Sequence, residues 1–392
     1  MLKPSSKLFG LITALLSACS GGGDGGSPTV RPQGTLHVLL TDAPACGFNA
    51  VNVTVAKVRA HRSSDANEND SGWTDIILNP ARKINLLNLS NGALEDLGQA
   101  PLDAGHYTQL RLVLEPNTSA RPVANSVIPA GGTETPLVTP SAVQSGIKLK
   151  SQFDVAENTL VDIVLDFDAC KSIVARGNGS YSLKPVVRVI PLIVSGGITG
   201  VLDPALAASS PMVTAQLDGV VVKGTVPDPQ TGSFTLSPIV RSSTAGNYEV
   251  VVTAQDHASA VISDVPVVAK ANTTVSTSPI MLPASGTHTV SGTVLPVDTE
   301  GAVRALQDFP SGPTVTIASQ NADLATGAYS FTLPVAAPVL GGYGSGVLPI
   351  TLSAQSAVAG KYAIEASATG RGTRTANTDI TSADVSQNFD LQ

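Results

Sequence analysis

Apolar and polar residues alternate with period two through residues 34–194. That is the repeat of a half-buried β-strand, not the 3.6-residue repeat of a helix. The pattern predicts strands at 35–40, 50–60, 74–78, 107–115, 160–167 and 181–191. In the fourth, Leu110, Leu112 and Leu114 share one face while Gln109, Arg111 and Val113 take the other. One side is therefore core, and the other meets solvent or a second layer. Polar, turn-rich stretches at 63–72 and 119–132 read as loops. Only 84–97 (INLLNLSNGALEDL) offers a short helix.

The character changes at 195–200. Lys+Arg and Asp+Glu balance at 16 each in residues 1–194 but stand at 7 against 14 in 195–392. The second half also repeats itself. Ile198-Thr199-Gly200-Val201 matches Val290-Ser291-Gly292-Thr293, and Thr231-Gly232-Ser233-Phe234 matches Thr326-Gly327-Ala328-Tyr329. Further on, Gly246-Asn247-Tyr248 matches Gly360-Lys361-Tyr362, and Thr274-Val275-Ser276 matches Asp384-Val385-Ser386. The offsets are 92, 95, 114 and 110, and a Gly-rich insertion at 340–346 accounts for the jump. Two tandem sandwich modules follow from the repeat.

Composition agrees. Charged residues make up 14% of the 392, against roughly 25% in an average domain, while 36 Gly and 27 Pro disfavour long helices. The expected fold is all-β, with three consecutive β-sandwich domains at 34–194, 195–284 and 285–392. A formal charge of -7 leaves no basic excess for phosphate neutralisation and excludes nucleic acid as a partner.

The first residues give an address. Lys3 and Lys7 precede an apolar run from Leu8 to Leu16, which as a helix spans about 14 Å, short of a hydrocarbon core of roughly 30 Å. Residues 1–18 read as a signal peptide. Leu16-Ser17-Ala18-Cys19 resembles the bacterial lipobox, which implies lipidation at Cys19; ordinary secretory cleavage after Ala18 is the alternative. Residues 19–33 form a Gly-rich tether. By the same resemblance, Ser20 after the lipid-bearing Cys implies an outer membrane lipoprotein of the cell envelope, periplasmic or surface-exposed.

With Cys19 assigned, Cys46 and Cys170 remain in an oxidising setting, and a disulfide between them is expected, two separate thiols being the alternative. Asp42 precedes Cys46, and Asp166 and Asp168 precede Cys170, each at the end of a strand. If the cysteines join, three carboxylates crowd together and need compensation. Ion pairing with Lys184, Arg188 or Arg111 is the expected solution; a calcium ion held by Asp42, Asp166 and Asp168 is the alternative. No other cofactor is implied.

Catalytic motifs are missing from the sequence. The five His are followed by Val, Arg, Tyr, Ala and Thr, so no HExxH exists. Tyr343 and Val347 stand where a nucleophile elbow at Ser345 needs Gly. His37 and His61 read as solvent-facing or hydrogen-bonded residues on strands. Sugar sites use exposed aromatic platforms, yet the single Trp, Trp73, lies in the first half, and Tyr248 and Tyr362 hold equivalent repeat positions, which argues for core anchoring. Tyr343, in the insertion, is the candidate ligand-binding contact.

Two resemblances complete the reading. GTLHVLLTDAP at 34–44, Val58-Arg59-Ala60-His61, Gly72-Trp73, APLDAGHYTQLRL at 100–112, Leu165-Asp166-Phe167-Asp168-Ala169 and Leu183-Lys184-Pro185-Val186-Val187-Arg188 resemble a bacterial lipoprotein family, the domain of unknown function numbered 4382. The repeat resembles carboxypeptidase-regulatory-like or transthyretin-like sandwiches, which are similar in turn to starch-binding folds. The expected function is a non-enzymatic, lipid-anchored envelope protein that binds through sheet edges or loops. Its partner is the membrane through the anchor, with another envelope protein or a polysaccharide. A carbohydrate-binding protein is one alternative, and a hydrolase with an unrecognised site, dependent on His106 or His61, is the other.

Overall fold

Alternation becomes a two-sheet sandwich in the first half of the chain. The computed structural model describes residues 31–43, 47–344 and 347–392. The strand Gln33–Ala43 buries Leu36, Val38 and Leu40. It pairs antiparallel with Glu95–Asp103 and parallel with Leu160–Asp168, which pairs in turn with Val187–Pro191. The facing eight-stranded sheet is built around Phe48–His61, flanked by Thr74–Asn85, Gly105–Leu114 and Ser126–Pro129. Leu110, Leu112 and Leu114 enter the core between the sheets. The opposite face is covered as well: Arg111 donates to the carbonyl of Ala66 in the polar 63–72 loop at 2.7 Å.

Three expectations about elements change. The helix expected at 84–97 is one 3-10 turn, Leu86–Leu89, capped by the Asn85 side chain. Its flanks are strand, because Ile84 and Leu97 are needed in the core. The strand expected at 181–191 is two, Tyr181–Leu183 and Val187–Pro191, in different sheets. Pro185 separates them, since it offers no N–H to a ladder. Ile147–Val155, between the expected loop at 119–132 and the expected strand at 160–167, is a further strand with perfect in-out alternation.

Two further core clusters follow. One runs from Ile198 to Leu282 and the other from Val290 to Leu391. Both units place the Gly of the S/T-G motif opposite an aromatic residue, Gly200 against Phe234 and Gly292 against Tyr329. Tyr248 donates its hydroxyl to the carbonyl of Val240 and Tyr362 to that of Pro334, each at 2.7 Å. The repeat is thus a repeat of core geometry.

The insertion has a structural purpose. Val339–Gly342 adds a parallel strand to Ala260–Val265, at the edge of the preceding unit's sheet, and Ser353–Ala354 follows it. Val339, Tyr343, Ile350 and Leu352 pack on that unit's core. A small shared core, containing Val251, Val261, Phe309, Val315 and Val358, seals the last two units together. Among the described residues no helix is long and apolar enough to cross a membrane.

Candidate functional site

The parallel register that sets Thr41 opposite Asp166 and Ala43 opposite Asp168 brings the acidic strand ends side by side. Each carboxylate is then satisfied differently. Asp168 caps the turn Ala169–Ser172: one oxygen accepts from the Lys171 amide at 3.0 Å and the other from its ammonium at 2.7 Å. Asp42 is fully buried, and one of its oxygens accepts from the Ala169 amide at 2.9 Å. Its second oxygen has no partner. Burial pushes this carboxyl well above the usual range, against the pull of the Ala169 amide.

Asp166 meets a cation that the sequence reading did not nominate. Lys223, from the second unit, places its Nζ 2.5 Å from Asp166 Oδ1 and donates to the carbonyl of Asp42 at 3.0 Å. The Lys223 side chain is 1% exposed and that of Asp166 6%. Burial raises the Asp166 pKa, opposed by Lys223 and Arg188.

Of the cations expected to compensate the acidic corner, Arg188 stands opposite Asp166 in the strand pairing and favours its charge, while Lys184 and Arg111 are engaged elsewhere. Arg188 donates to the carbonyls of Val221 and Val222. Lys184 pairs with Glu300 at 3.3 Å. Arg111 bonds Ser145 and Ala66 and lies 5.0 Å from the Trp73 ring centre, which also has Arg59 at 4.7 Å and the His61 ring at 4.9 Å. Among the described residues no group of three or more His, Cys, Asp or Glu could hold a metal ion; an ammonium stands beside Asp166 instead. Lys223 had one signal in the sequence, a lone cation within Val220-Val221-Val222-Lys223-Gly224-Thr225.

Around this ion pair the three units interlock through polar contacts. Thr235 donates its amide to the Asn91 side chain at 2.5 Å, joining the first unit to the second. Asn321 donates to the carbonyl of Lys171 at 2.9 Å, joining the third to the first. Gln216 and Thr316 exchange two bonds of 2.7 Å between the second and third.

A cleft of about 830 Å³ opens at the other side of the first junction, walled by Phe153, Leu160, Val161, Leu192, Ile193 and Lys270 among others. Leu160 and Ile193 are 57% and 67% exposed there. Tyr343 does not supply the exposed contact expected of it: half-buried, it packs on the second core and its amide bonds Ser263 at 2.9 Å. Cys19 and Cys46 lie outside the described residues, as does Ser345.

The histidines hold structure. His37 sits between Asp162 at 2.7 Å and Asp96 at 3.2 Å. Burial disfavours its protonated ring, but the two carboxylates more than offset this and raise its pKa. His61 accepts from the Ser63 amide and bonds the Ser71 carbonyl, while His106 and His288 pair with Asp154 and Asp384. His257 bonds the carbonyl of Gln255.

Residues 33–185 match the family model described as "Domain of unknown function (DUF4382)". Residues 195–392 lie beyond that match. A solved structure, "Crystal structure of BcpA, the major pilin subunit of Bacillus cereus", is similar over 92% of this chain and 99% of that one, at 12% identity and a TM-score of 0.17. No curated protein matches the chain.

Proposed function

We propose that this chain is a lipid-anchored, non-enzymatic protein of the bacterial cell envelope, in which three β-sandwiches, the last two of regulatory-like type, present a binding surface. One observation carries the interaction reading. His37 and the Asp166–Lys223 pair join strands and units, whereas the cleft beside Leu160 and Ile193 leaves large apolar side chains exposed. Exposed apolar surface rimmed by polar residues is what interaction sites present.

The anchor rests on the lipobox-like Leu16-Ser17-Ala18-Cys19, which calls for an acylated Cys19 and outer-membrane sorting. A Cys46–Cys170 disulfide is part of the same reading. It is supported by the register that places Ala43 against Asp168, from which each cysteine is two or three residues away. An envelope protein is the favoured partner over a polysaccharide, because both arginines beside Trp73 occupy the ring that would serve as a sugar platform.

Two measurements test this. Cys19→Ala should move the protein from the membrane to the soluble fraction, and continued membrane partition would refute the anchor. Crosslinking in intact cells should capture an envelope protein with the native chain and lose it with Leu160→Glu/Ile193→Glu. Equal capture by both forms would remove the cleft from the reading.

A further inference from the structure

We propose that Lys223 and Asp166 condense into an intramolecular amide that ties the first sandwich covalently to the second. The inference is independent of the envelope reading. It starts from the contact itself: an amine nitrogen 2.5 Å from a carboxylate oxygen, both side chains sealed from water, on strands of two different units. The nitrogen thus touches an oxygen that is one C–O bond from the atom it would attack, Asp166 Cγ, and loss of approach entropy no longer opposes the reaction. The Asp42 carbonyl, 3.0 Å from the same nitrogen, fixes its direction.

The step balances without an oxidant or a co-reactant. The ammonium passes a proton to the carboxylate across the existing contact, leaving a neutral amine and a carboxylic acid. A buried site favours that neutral pair over two ions, and the raised pKa of Asp166 runs the same way. The Lys223 nitrogen attacks Asp166 Cγ and the C–N bond forms. The C–OH bond then breaks, and the hydroxyl leaves with a proton from nitrogen as water. Arg188 stands opposite Asp166 in the strand pairing and favours its negative charge. It would stabilise the oxyanion of the tetrahedral intermediate.

A digest of the purified full chain decides the matter. After reduction and alkylation, trypsin should release residues 151–171 joined to 189–241, lighter by one water than the two together, because an acylated Lys223 is not cleaved. In Lys223→Arg, which keeps a cation but cannot form this amide, the joined species should vanish. Free 151–171 at full mass together with separate 189–223 and 224–241 overturns the proposal and leaves an ion pair. So does a joined species that persists in the variant. Should the variant not fold, fragmentation of the joined wild-type species locates the amide, and any position other than Lys223 and Asp166 overturns it.

Discussion

Glu249 holds one carboxylate oxygen buried without a hydrogen-bond partner. Burial, with repulsion from Asp218 and Asp264, raises its pKa from 4.5 to about 7, against a backbone hydrogen bond that lowers it. The folded chain therefore binds more protons than the unfolded one between those values. The stability this group contributes is complete below pH 4.5 and is lost as the pH rises through about 7. Partial solvent exposure discounts the effect to about 1–2 kcal/mol. Glu249→Gln should be the more stable form above the window and equal to wild type below it. Urea denaturation on either side checks this, and a variant less stable at high pH would contradict it. The acidic corner was legible at this scale because Asp42, Asp166 and Asp168 sit at predictable strand ends. The cation of its buried pair was not, because Lys223 comes from another unit, and local spacing carries no information about which surface covers a strand end.

At the scale of elements, the repeated turn shows what sequence similarity was preserving. Gly232 and Gly327 both have φ of +68°, and a Cβ would lie 1.8 Å from the Leu202 carbonyl oxygen and 2.3 Å from that of Val294. Four residues earlier in each repeat, Asp228 and Asp323 accept from two following amides and from the Thr hydroxyl. The full motif is therefore D-x-x-T-G, two residues of which the sequence comparison used. Gly232→Ala should cost more than about 1 kcal/mol, since it adds both a clash and a disfavoured φ. Asp228→Ala should cost about 1 kcal/mol through lost turn bonds. Thermal melts that rank Asp228→Ala as the more damaging would show that the turn relaxes around the new Cβ. Alternation exposed the core-facing Leu36, Val38 and Leu40 directly. It could not separate 181–183 from 187–191, because the pattern continues through Pro185 while the hydrogen-bond ladder cannot.

For the whole molecule, the jump in repeat offset was legible as an insertion but not as a strand lent to a neighbour. Which sheet edge Val339–Gly342 joins depends on how two units dock, and the docking is made by residues 48 to 107 positions apart in the chain. The consequence is cooperative unfolding. Phe309 is 2% exposed in the core that joins the last two units, among Val251, Val261, Val315 and Val358. Truncating a buried Phe typically costs about 3–5 kcal/mol, counting both lost burial and the cavity left behind. Phe309 belongs by sequence to the last unit, yet its packing partners Val251 and Val261 lie in strands Tyr248–Thr253 and Ala260–Val265 of the unit before. Phe309→Ala should therefore lower amide-exchange protection in those two strands as well as in Thr314–Asn321. Loss confined to Thr314–Asn321 would mean that the second unit holds its fold without the third, and that the lent strand is an ornament on an already stable sheet.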